Sequence, residues 1–106
     1  MPFVTLASLP AKNIFPGIAG HYTHTEKLTL GEVELAAAVV LPTHQHLHDQ
    51  ISCVLAGRME FTIGAETRLL EAGMSAVIPG GAPHGARTLT ACRVLDIFSP
   101  PRDDYR

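Results

Sequence analysis

The chain has no excess of positive charge and no long apolar run, and these two absences argue against several classes of protein. Its 106 residues carry a formal net charge of −2 at pH 7, so we expect no basic surface for nucleic acid or for an anionic membrane. The longest apolar run, residues 35–41, is too short to span a bilayer. The first ten residues lack the positively charged segment of a secretion signal. We therefore expect a cytoplasmic protein.

Cysteine is also scarce, and its spacing does not suggest a disulfide. Cys53 and Cys92 lie far apart without a CxxC pair, so we interpret them as small buried apolar residues. Apolar residues make up 46% of the chain and charged residues 17%, a composition that excludes disorder. No linker or repeat interrupts the sequence. The length suits one globular domain that spans residues 1–106.

The chain does contain frequent alternation of apolar and polar residues, punctuated by glycine and proline. A period of two is typical of strands with one buried face, and it is clearest between Gly57 and Gly64. The alanines of residues 35–40 would also suit a helix, but among so many strands we predict a strand there. Many short strands indicate an all-β sandwich, barrel or jelly roll. The predicted strands are residues 4–8, 21–27, 33–40, 51–56, 58–63, 67–70, 76–78 and 92–98.

Three histidines and a glutamine stand at spacings that suit one metal ion: His44, His46, Gln50 and His84. If His44 and His46 lie in one strand, their side chains point to the same face, and Gln50 shares their parity. His84 follows a turn rich in proline and glycine, which can present its ring from a separate strand. An HxH pattern alone is more often a surface or structural feature. The residues around the HxH pattern must therefore show whether it belongs to a metal site.

That context consists of two longer patterns. Residues 38–57 read AxxxxxHxHxxxQxxxxxxG, and residues 73–88 read GxxxxxPxGxxHxxxT. Both resemble the two signature motifs of the cupin family, although Ala38, Gln50 and Thr88 stand where Gly, Glu and Asn are usual. The resemblance implies a cupin double-stranded β-helix, that is, a jelly-roll barrel. It also implies one divalent metal ion with four ligands: His44, His46, Gln50 and His84. The softness of these donors suits Zn, Ni, Mn or Fe.

The glutamine determines the charge of such a site. Three imidazoles and one amide are all neutral, so the ion keeps its full double charge. It should attract an anionic substrate and polarise a bound oxygen. The set departs from the two-histidine, one-carboxylate triad of many iron oxygenases, which disfavours dioxygen chemistry but leaves three-histidine oxygenases open. His48 and Asp49 are competing donors nearby; because the spacing selects Gln50, we expect them to support the ligands or to face solvent.

Asp96 interrupts an otherwise apolar strand near the end of the chain. A buried carboxylate without a partner costs several kcal/mol or takes up a proton, so Asp96 needs a partner or a chemical function. A structural pairing with Arg93 or Arg102 is one explanation, and a role in the site is the other. Leu95 and Ile97 have the opposite parity and point outward. A homodimer interface would cover them.

Several segments narrow the resemblance to the KdgF type of cupin, which is associated with pectin and alginate breakdown. They are residues 15–17, 44–51, 63–64, 77–79, 83–84 and, most specifically, 93–105. Proteins of this type convert 4,5-unsaturated monouronates, the products of polysaccharide lyases, into ring-opened 4-deoxy-5-keto uronates. The resemblance implies a metal-dependent, isomerase-like enzyme for a small anionic sugar. Asp96 and Arg102 would be catalytic, and Phe98 and Arg102 would contact the substrate.

Two other functions fit the same residues. Many small cupins bind a metal and a sugar without turnover, and others are metal-dependent dioxygenases or sugar isomerases. Loss of the ultraviolet absorbance of an unsaturated uronate would distinguish an enzyme from a binding protein. Oxygen uptake with bound iron would indicate an oxygenase.

Overall fold

In the computed structural model, which describes residues 2–106, ten strands form two antiparallel sheets. The strands are β1 Lys12–Phe15, β2 Ile18–His24, β3 Thr29–Leu35, β4 Val40–His44, β5 Asp49–Ala56, β6 Met59–Ile63, β7 Glu66–Leu70, β8 Ser75–Ile78, β9 His84–Thr88 and β10 Cys92–Ser99. One sheet has the order β1-β2-β3-β10-β5-β8 and the other the order β4-β9-β6-β7. This architecture confirms the predicted all-β jelly roll. Within the described range, no helix is long and apolar enough to cross a membrane.

The core lies between the sheets because alternate residues of each strand point inward. In β3 the inward positions Thr29, Val33 and Leu35 are buried, and their neighbours are more exposed. Each large apolar side chain that is fully buried contributes about 1.5–3 kcal/mol. Both sheets supply the buried apolar cluster, which consists of Ile18, Tyr22, Val33, Leu35, Val54, Met59, Phe61, Leu70, Ala76, Ile78, Cys92, Val94 and Phe98. Cys53 and Cys92 are free thiols; Cys92 is buried and Cys53 only partly so.

Strands β5, β6, β7, β8 and β10 confirm the predictions for residues 51–56, 58–63, 67–70, 76–78 and 92–98. The strand predicted at residues 4–8 is wrong, because Leu6–Ser8 forms a 3-10 helix closed by hydrogen bonds within one turn. The strand predicted at residues 21–27 begins earlier, at Ile18, and ends at His24. It ends there because the Thr25 hydroxyl accepts hydrogen bonds from the backbone N–H groups of residues 27 and 28.

The strand predicted at residues 33–40 is also wrong beyond Leu35, where the chain turns before β4 begins. The Thr88 hydroxyl holds this turn: it donates to the Ala36 carbonyl at 2.6 Å and accepts from the Val39 N–H at 2.9 Å. Ala38 has a φ of +59°, the left-handed region that is unfavourable for a residue with a Cβ. Ala38 and Thr88, two departures from the cupin motifs, therefore meet at one turn.

Strands β1, β4 and β9 were not among the predicted ranges, although a separate strand was expected to carry His84. Their sequences, KNIF, VLPTH and HGART, lack a clear apolar alternation. In β4 most residues are exposed, so no buried stripe marks the strand. Its position is set by pairing with β9, which lies more than forty residues later.

Strand β10 is central to the six-stranded sheet, where it pairs with β3 and β5. Its inner face carries Val94, Asp96 and Phe98, in agreement with the predicted parity. On the outer face, Ile97 is 38% exposed and lies in register with Ile51, which in turn pairs with Val77. These apolar side chains form a stripe across three strands. The homodimer that would cover it stays a prediction.

Candidate metal centre and cavity

A cavity of about 190 Å³ lies between the two sheets. Pockets for drug-sized ligands are usually about 300–1,000 Å³, so this one suits a single small molecule. Its polar lining residues are His44, His46, Gln50, Ser52, His84, Asp96 and Arg102. The remainder of the wall is largely aliphatic and aromatic. The structure thus brings all the predicted site residues, including Phe98, to one cavity.

Three histidines meet at this cavity from two strands and a loop. His44 ends β4 and is paired in register with His84, the first residue of β9. His46 lies in the loop between β4 and β5, so the prediction that it shares a strand face with His44 is wrong. It converges because the loop folds back. One ring nitrogen from each histidine lies within 4.8 Å of the others, a grouping that could hold a metal ion.

Each of these rings is oriented by a backbone carbonyl two residues away. The Nδ1 atoms of His44, His46 and His84 lie 2.9, 3.1 and 2.9 Å from the carbonyl oxygens of Pro42, His48 and Ala82. A carbonyl can only accept, so Nδ1 carries the proton and Nε2 keeps a free lone pair. This is the arrangement that fixes histidine ligands around a metal.

The electrostatics of the histidines also fit a metal ion. Burial lowers the pKa of His46 and of His84 below the usual value of 6.5, which favours the neutral form that a metal requires. Nε2 of His84 is buried and has no hydrogen-bond partner in the described part of the chain. A buried polar atom without a partner is costly, and a cation shared with His44 and His46 would satisfy it.

Gln50, the second residue of β5 in the six-stranded sheet, reaches the same point. Its Oε1 lies 3.0 Å from Nε2 of His46. With the proton on Nδ1, both of these atoms carry lone pairs, and two acceptors this close are unfavourable without a cation. Its amide nitrogen points the other way, toward the Ser52 hydroxyl at 2.9 Å and Oδ1 of Asp96 at 3.4 Å.

His48 and Asp49 lie outside the three-histidine group. The Asp49 carboxylate accepts a hydrogen bond from the Gly80 N–H at 2.7 Å. A side chain at Gly80 would collide with the backbone of Leu47, so this contact fixes two loops at close range. The His48 ring packs edge-on against His46 and Phe98. Both residues therefore support the loop that carries His46.

Asp96 is held by neighbours on β5. Ser52, its partner in register, donates to Oδ1 at 2.5 Å. Burial raises the pKa of Asp96 to about 6, and the hydrogen bonds from Ser52 and Gln50 and the charge of Arg102 partly oppose this shift. The structural pairing with Arg93 or Arg102 considered from the sequence is not observed within residues 2–106, where neither forms an ion pair with Asp96.

Arg93 and Arg102 have other acidic partners. Arg93 lies 3.9 Å from Glu32 on the outer surface. The Arg102 side chain is only 12% exposed, and its guanidinium donates from Nε and Nη2 to the Asp104 carboxylate at 3.1 and 2.8 Å. The outer edge of the guanidinium, with Nη1 and one N–H of Nη2, remains for a ligand.

Two aromatic rings contact Arg102. Its guanidinium carbon lies 4.9 Å from the ring centre of Phe98 and 4.0 Å from that of Tyr105. Tyr105 in turn packs against Tyr22 with ring centres 4.7 Å apart. The Tyr22 ring lies over Gly31, where a Cβ would collide with it. Cation–π contacts of this kind hold a guanidinium in one orientation.

Sequence reasoning missed Ser52 and Tyr105, which also line the cavity. The parity of Ser52 with Gln50 in a predicted strand was the available signal. It placed both on one face, but it could not show which residue of β10 would lie opposite. Tyr105 stands in the C-terminal segment that resembles KdgF-type proteins, but nothing in the residues themselves places its ring over Arg102.

The two sheets, the enclosed cavity and the three-histidine group define a class of protein. The family model described as "Cupin domain" matches residues 31–98, and the chain belongs to the cupin family. Within it, the chain is a small cupin of the KdgF type. It is 35% identical over 85 residues to the pectin degradation protein KdgF of Dickeya dadantii, an alignment that covers 78% of this chain and 77% of that protein.

The chain is also similar to a solved structure and to a second curated protein. The structure of KdgF from a Halomonas species superposes with a TM-score of 0.92, at 34% identity, over 100% of this chain and 99% of that one. An H2HPP isomerase of Bacillus subtilis is 38% identical over 73 residues, which are 63% of this chain and 31% of that protein. The extent of the cupin domain over all of residues 1–106 stays a prediction.

Proposed function

We propose that this chain acts in pectin or alginate breakdown by converting 4,5-unsaturated monouronates into ring-opened 4-deoxy-5-keto uronates. The observation that carries the proposal is the position of Asp96. Its carboxyl group shares one small cavity with three convergent histidines and a stacked arginine. The relatives known as KdgF, one of them a pectin degradation protein, support this choice of substrate.

The cavity would contact both the carboxylate and the sugar ring of the substrate. An unsaturated monouronate carries one carboxylate, and the free edge of the Arg102 guanidinium can donate two parallel hydrogen bonds to it. Phe98 keeps the guanidinium in place and contributes an apolar wall. Because the volume is small, a single sugar ring fills the cavity and excludes water around the reacting atoms.

The reaction moves a proton from oxygen to carbon without any change in composition. As the anomeric hydroxyl loses its proton, the bond between carbon 1 and the ring oxygen breaks and carbon 1 becomes an aldehyde. The ring oxygen becomes a ketone at carbon 5 when carbon 4 gains a proton. Asp96 is the proposed proton carrier, since a carboxyl group with a pKa of about 6 can both accept and donate a proton near neutral pH.

We further propose that His44, His46, Gln50 and His84 together hold one divalent metal ion, and Zn, Ni, Mn and Fe all suit the donor set. When bound, the ion supplies positive charge that attracts the anionic substrate and polarises an oxygen on it. The ligand residues add no negative charge of their own, so the attraction is undiminished. The cytoplasmic location expected from the sequence stays a prediction.

The test uses purified protein, its Asp96→Asn variant and an unsaturated monouronate made with a polysaccharide lyase. We expect the wild type to remove the ultraviolet absorbance of the double bond, with a ketone product visible by NMR. The variant should keep its metal content but lose about a hundredfold to ten-thousandfold in kcat, the range for general acid–base catalysis. Decay no faster than in buffer would overturn the proposed reaction. Full activity of the variant would remove Asp96 from it.

A second candidate is isomerisation of H2HPP. It is favoured by the match to an H2HPP isomerase, and the aliphatic and aromatic part of the cavity wall would suit a substrate less polar than a sugar. Steady-state kinetics on H2HPP and on the uronate, with the products identified by NMR, distinguish the two. The substrate with the higher kcat/KM identifies the function.

A further inference from the structure

Gln50 connects the histidine group to the proposed proton carrier through the two ends of one amide. Its oxygen faces His46, and its nitrogen donates to Ser52 and Asp96. An amide has one accepting end and one donating end. A single orientation of the Gln50 amide therefore directs its oxygen to the histidines and its N–H group to Asp96. A glutamate here could not donate to Asp96, and its charge would repel that carboxylate.

Ser52 is the third member of this chain of hydrogen bonds. Its side chain is almost fully buried, and its hydroxyl accepts from the Gln50 amide and donates to Oδ1 of Asp96 at 2.5 Å. A hydroxyl has only one proton to donate. Because that proton goes to Asp96, the hydroxyl must accept from Gln50, and this fixes which end of the amide faces it.

The contacts of Asp96 are one-sided. Both hydrogen bonds to its carboxyl group go to Oδ1, and the residues that the structure describes offer none to Oδ2. Since Asp96 lines the cavity, the second oxygen is left for a ligand. Partial rotation of the carboxyl group would turn its free oxygen away from the cavity, and the hydrogen bond from Ser52 opposes that rotation.

We propose that Ser52 is a positioning residue: it keeps Oδ2 of Asp96 toward the substrate and keeps the Gln50 carbonyl oxygen toward the histidines. This inference rests on the proposed reaction for its effect on turnover. Its effect on Gln50 does not depend on any substrate. Removal of the hydroxyl frees the carboxyl group to rotate and takes away one partner of the amide, so both orientations become less defined.

The first experiment compares Ser52→Ala with Ser52→Thr, which retains a hydroxyl and suits a strand. Substitution of residues that orient a site typically costs about tenfold to a hundredfold, and we expect Ser52→Ala to lose this much in kcat with little change in KM. Ser52→Thr should recover most of the loss. If Ser52→Ala retains the wild-type kcat, or if a folded Ser52→Thr is no better than the alanine variant, the positioning role is wrong.

A matched control separates positioning from stability. Thr88 also has a buried hydroxyl with two backbone partners, but it lies at the far end of β9 from His84. Thr88→Val should lower the melting temperature and leave kcat unchanged. Equal losses of kcat in Thr88→Val and Ser52→Ala would show that Ser52 acts only through general stability and would overturn the proposal.

The second experiment needs no substrate. In zinc-loaded protein labelled with ¹⁵N, the side-chain NH₂ resonances of Gln50 report the two hydrogen bonds that its nitrogen donates. We expect these resonances to shift and to exchange faster in Ser52→Ala, and to resemble the wild type in Ser52→Thr. Unchanged resonances in the alanine variant would overturn the inference. If the wild type fails to act on the uronate while these resonances shift as expected, the proposed reaction is wrong and the positioning role stands.

Discussion

The two sheets hold their functional side chains in different ways. On the four-stranded sheet, His44 and His84 are oriented by backbone carbonyls two residues away in sequence. On the six-stranded sheet, Asp96 is held by Ser52, 44 residues away, and by Gln50, 46 residues away. The histidine half of the site is thus built from local backbone contacts. The acidic half depends on the register between two distant strands.

This difference suggests two kinds of failure. A change in the histidine half should remove the metal and leave the rest of the site in place, since each ring has its own backbone support. A change in the acidic half should leave the metal and disturb its neighbours, because those side chains share hydrogen bonds. The following predictions test this contrast, beginning with the largest expected effect.

Loss of one histidine should remove the metal. His84→Ala deletes the buried Nε2 that has no partner within residues 2–106, and we expect metal affinity to fall by at least about a hundredfold, with turnover lost in parallel. Metal analysis of protein purified without a chelating column measures this. His21→Ala is the control, because His21 bonds the Leu9 carbonyl outside the group. Stoichiometric metal in the His84 variant would contradict the ligand assignment.

In the acidic half, Arg102→Lys should weaken substrate binding and spare the metal. A lysine keeps the charge but cannot make a bidentate contact or stack on Phe98 and Tyr105. We expect KM for the uronate to rise about tenfold or more, as measured by steady-state kinetics. Arg93→Lys, on the outer surface, should behave like the wild type. An unchanged KM in Arg102→Lys would mean that another group binds the carboxylate.

Asp96 should also make the metal-free protein less stable as pH rises. Burial raises its pKa from 3.8 to about 6, so the folded state binds the proton more tightly than the unfolded chain does. The free energy of unfolding therefore falls between about pH 4 and 6, by at most roughly 3 kcal/mol.

Asp96→Asn removes this dependence on pH. The variant should gain stability relative to the wild type at pH 8 and lose that advantage at pH 4, as measured by urea denaturation of metal-free protein. Glu26→Gln, on the surface, serves as the control. A difference between Asp96→Asn and the wild type that is the same at both pH values would show that burial does not perturb this carboxyl group.

The smallest expected effect concerns the outer faces of the two sheets. Only the outer face of the six-stranded sheet is predicted to form a homodimer interface. If the predicted homodimer forms through the apolar stripe on the six-stranded sheet, Val77→Lys should give a monomer by light scattering, since Val77 is 66% exposed within it. Val40→Lys, on the other sheet and 61% exposed, should leave the dimer intact. A Val77 variant that remains dimeric would place the interface elsewhere. A monomeric wild type would remove the dimer altogether.

The same contrast explains how much of the site could be predicted from the sequence. The motif spacing identified the histidines and Gln50 because the same spacing recurs wherever this arrangement of loops and strands forms a metal site. It misplaced His46 in a strand, although the residue still converges with the others. The contact between Ser52 and Asp96 could not be predicted, because a register between strands forty residues apart leaves no local signal.

For the fold, the accurate predictions fall on strands with one buried face, such as β5 and β6. The failures fall where that pattern is absent or misleading. β4 is largely exposed, so it was missed. The apolar run at residues 36–39 looked like a continuation of a strand, but its alanines are exposed in a turn held by Thr88. Composition cannot reveal a turn that a distant hydroxyl stabilises.

The left-handed backbone conformation of Ala38 offers a way to stabilise this protein for engineering. Glycine adopts the same backbone conformation without steric cost, so Ala38→Gly should raise the free energy of unfolding by roughly 1 kcal/mol. The position is exposed and does not line the cavity. A chain stabilised there would tolerate substitutions in the cavity that otherwise reduce the yield of folded protein. Ala38→Gly is therefore a suitable parent for libraries that search for new substrates.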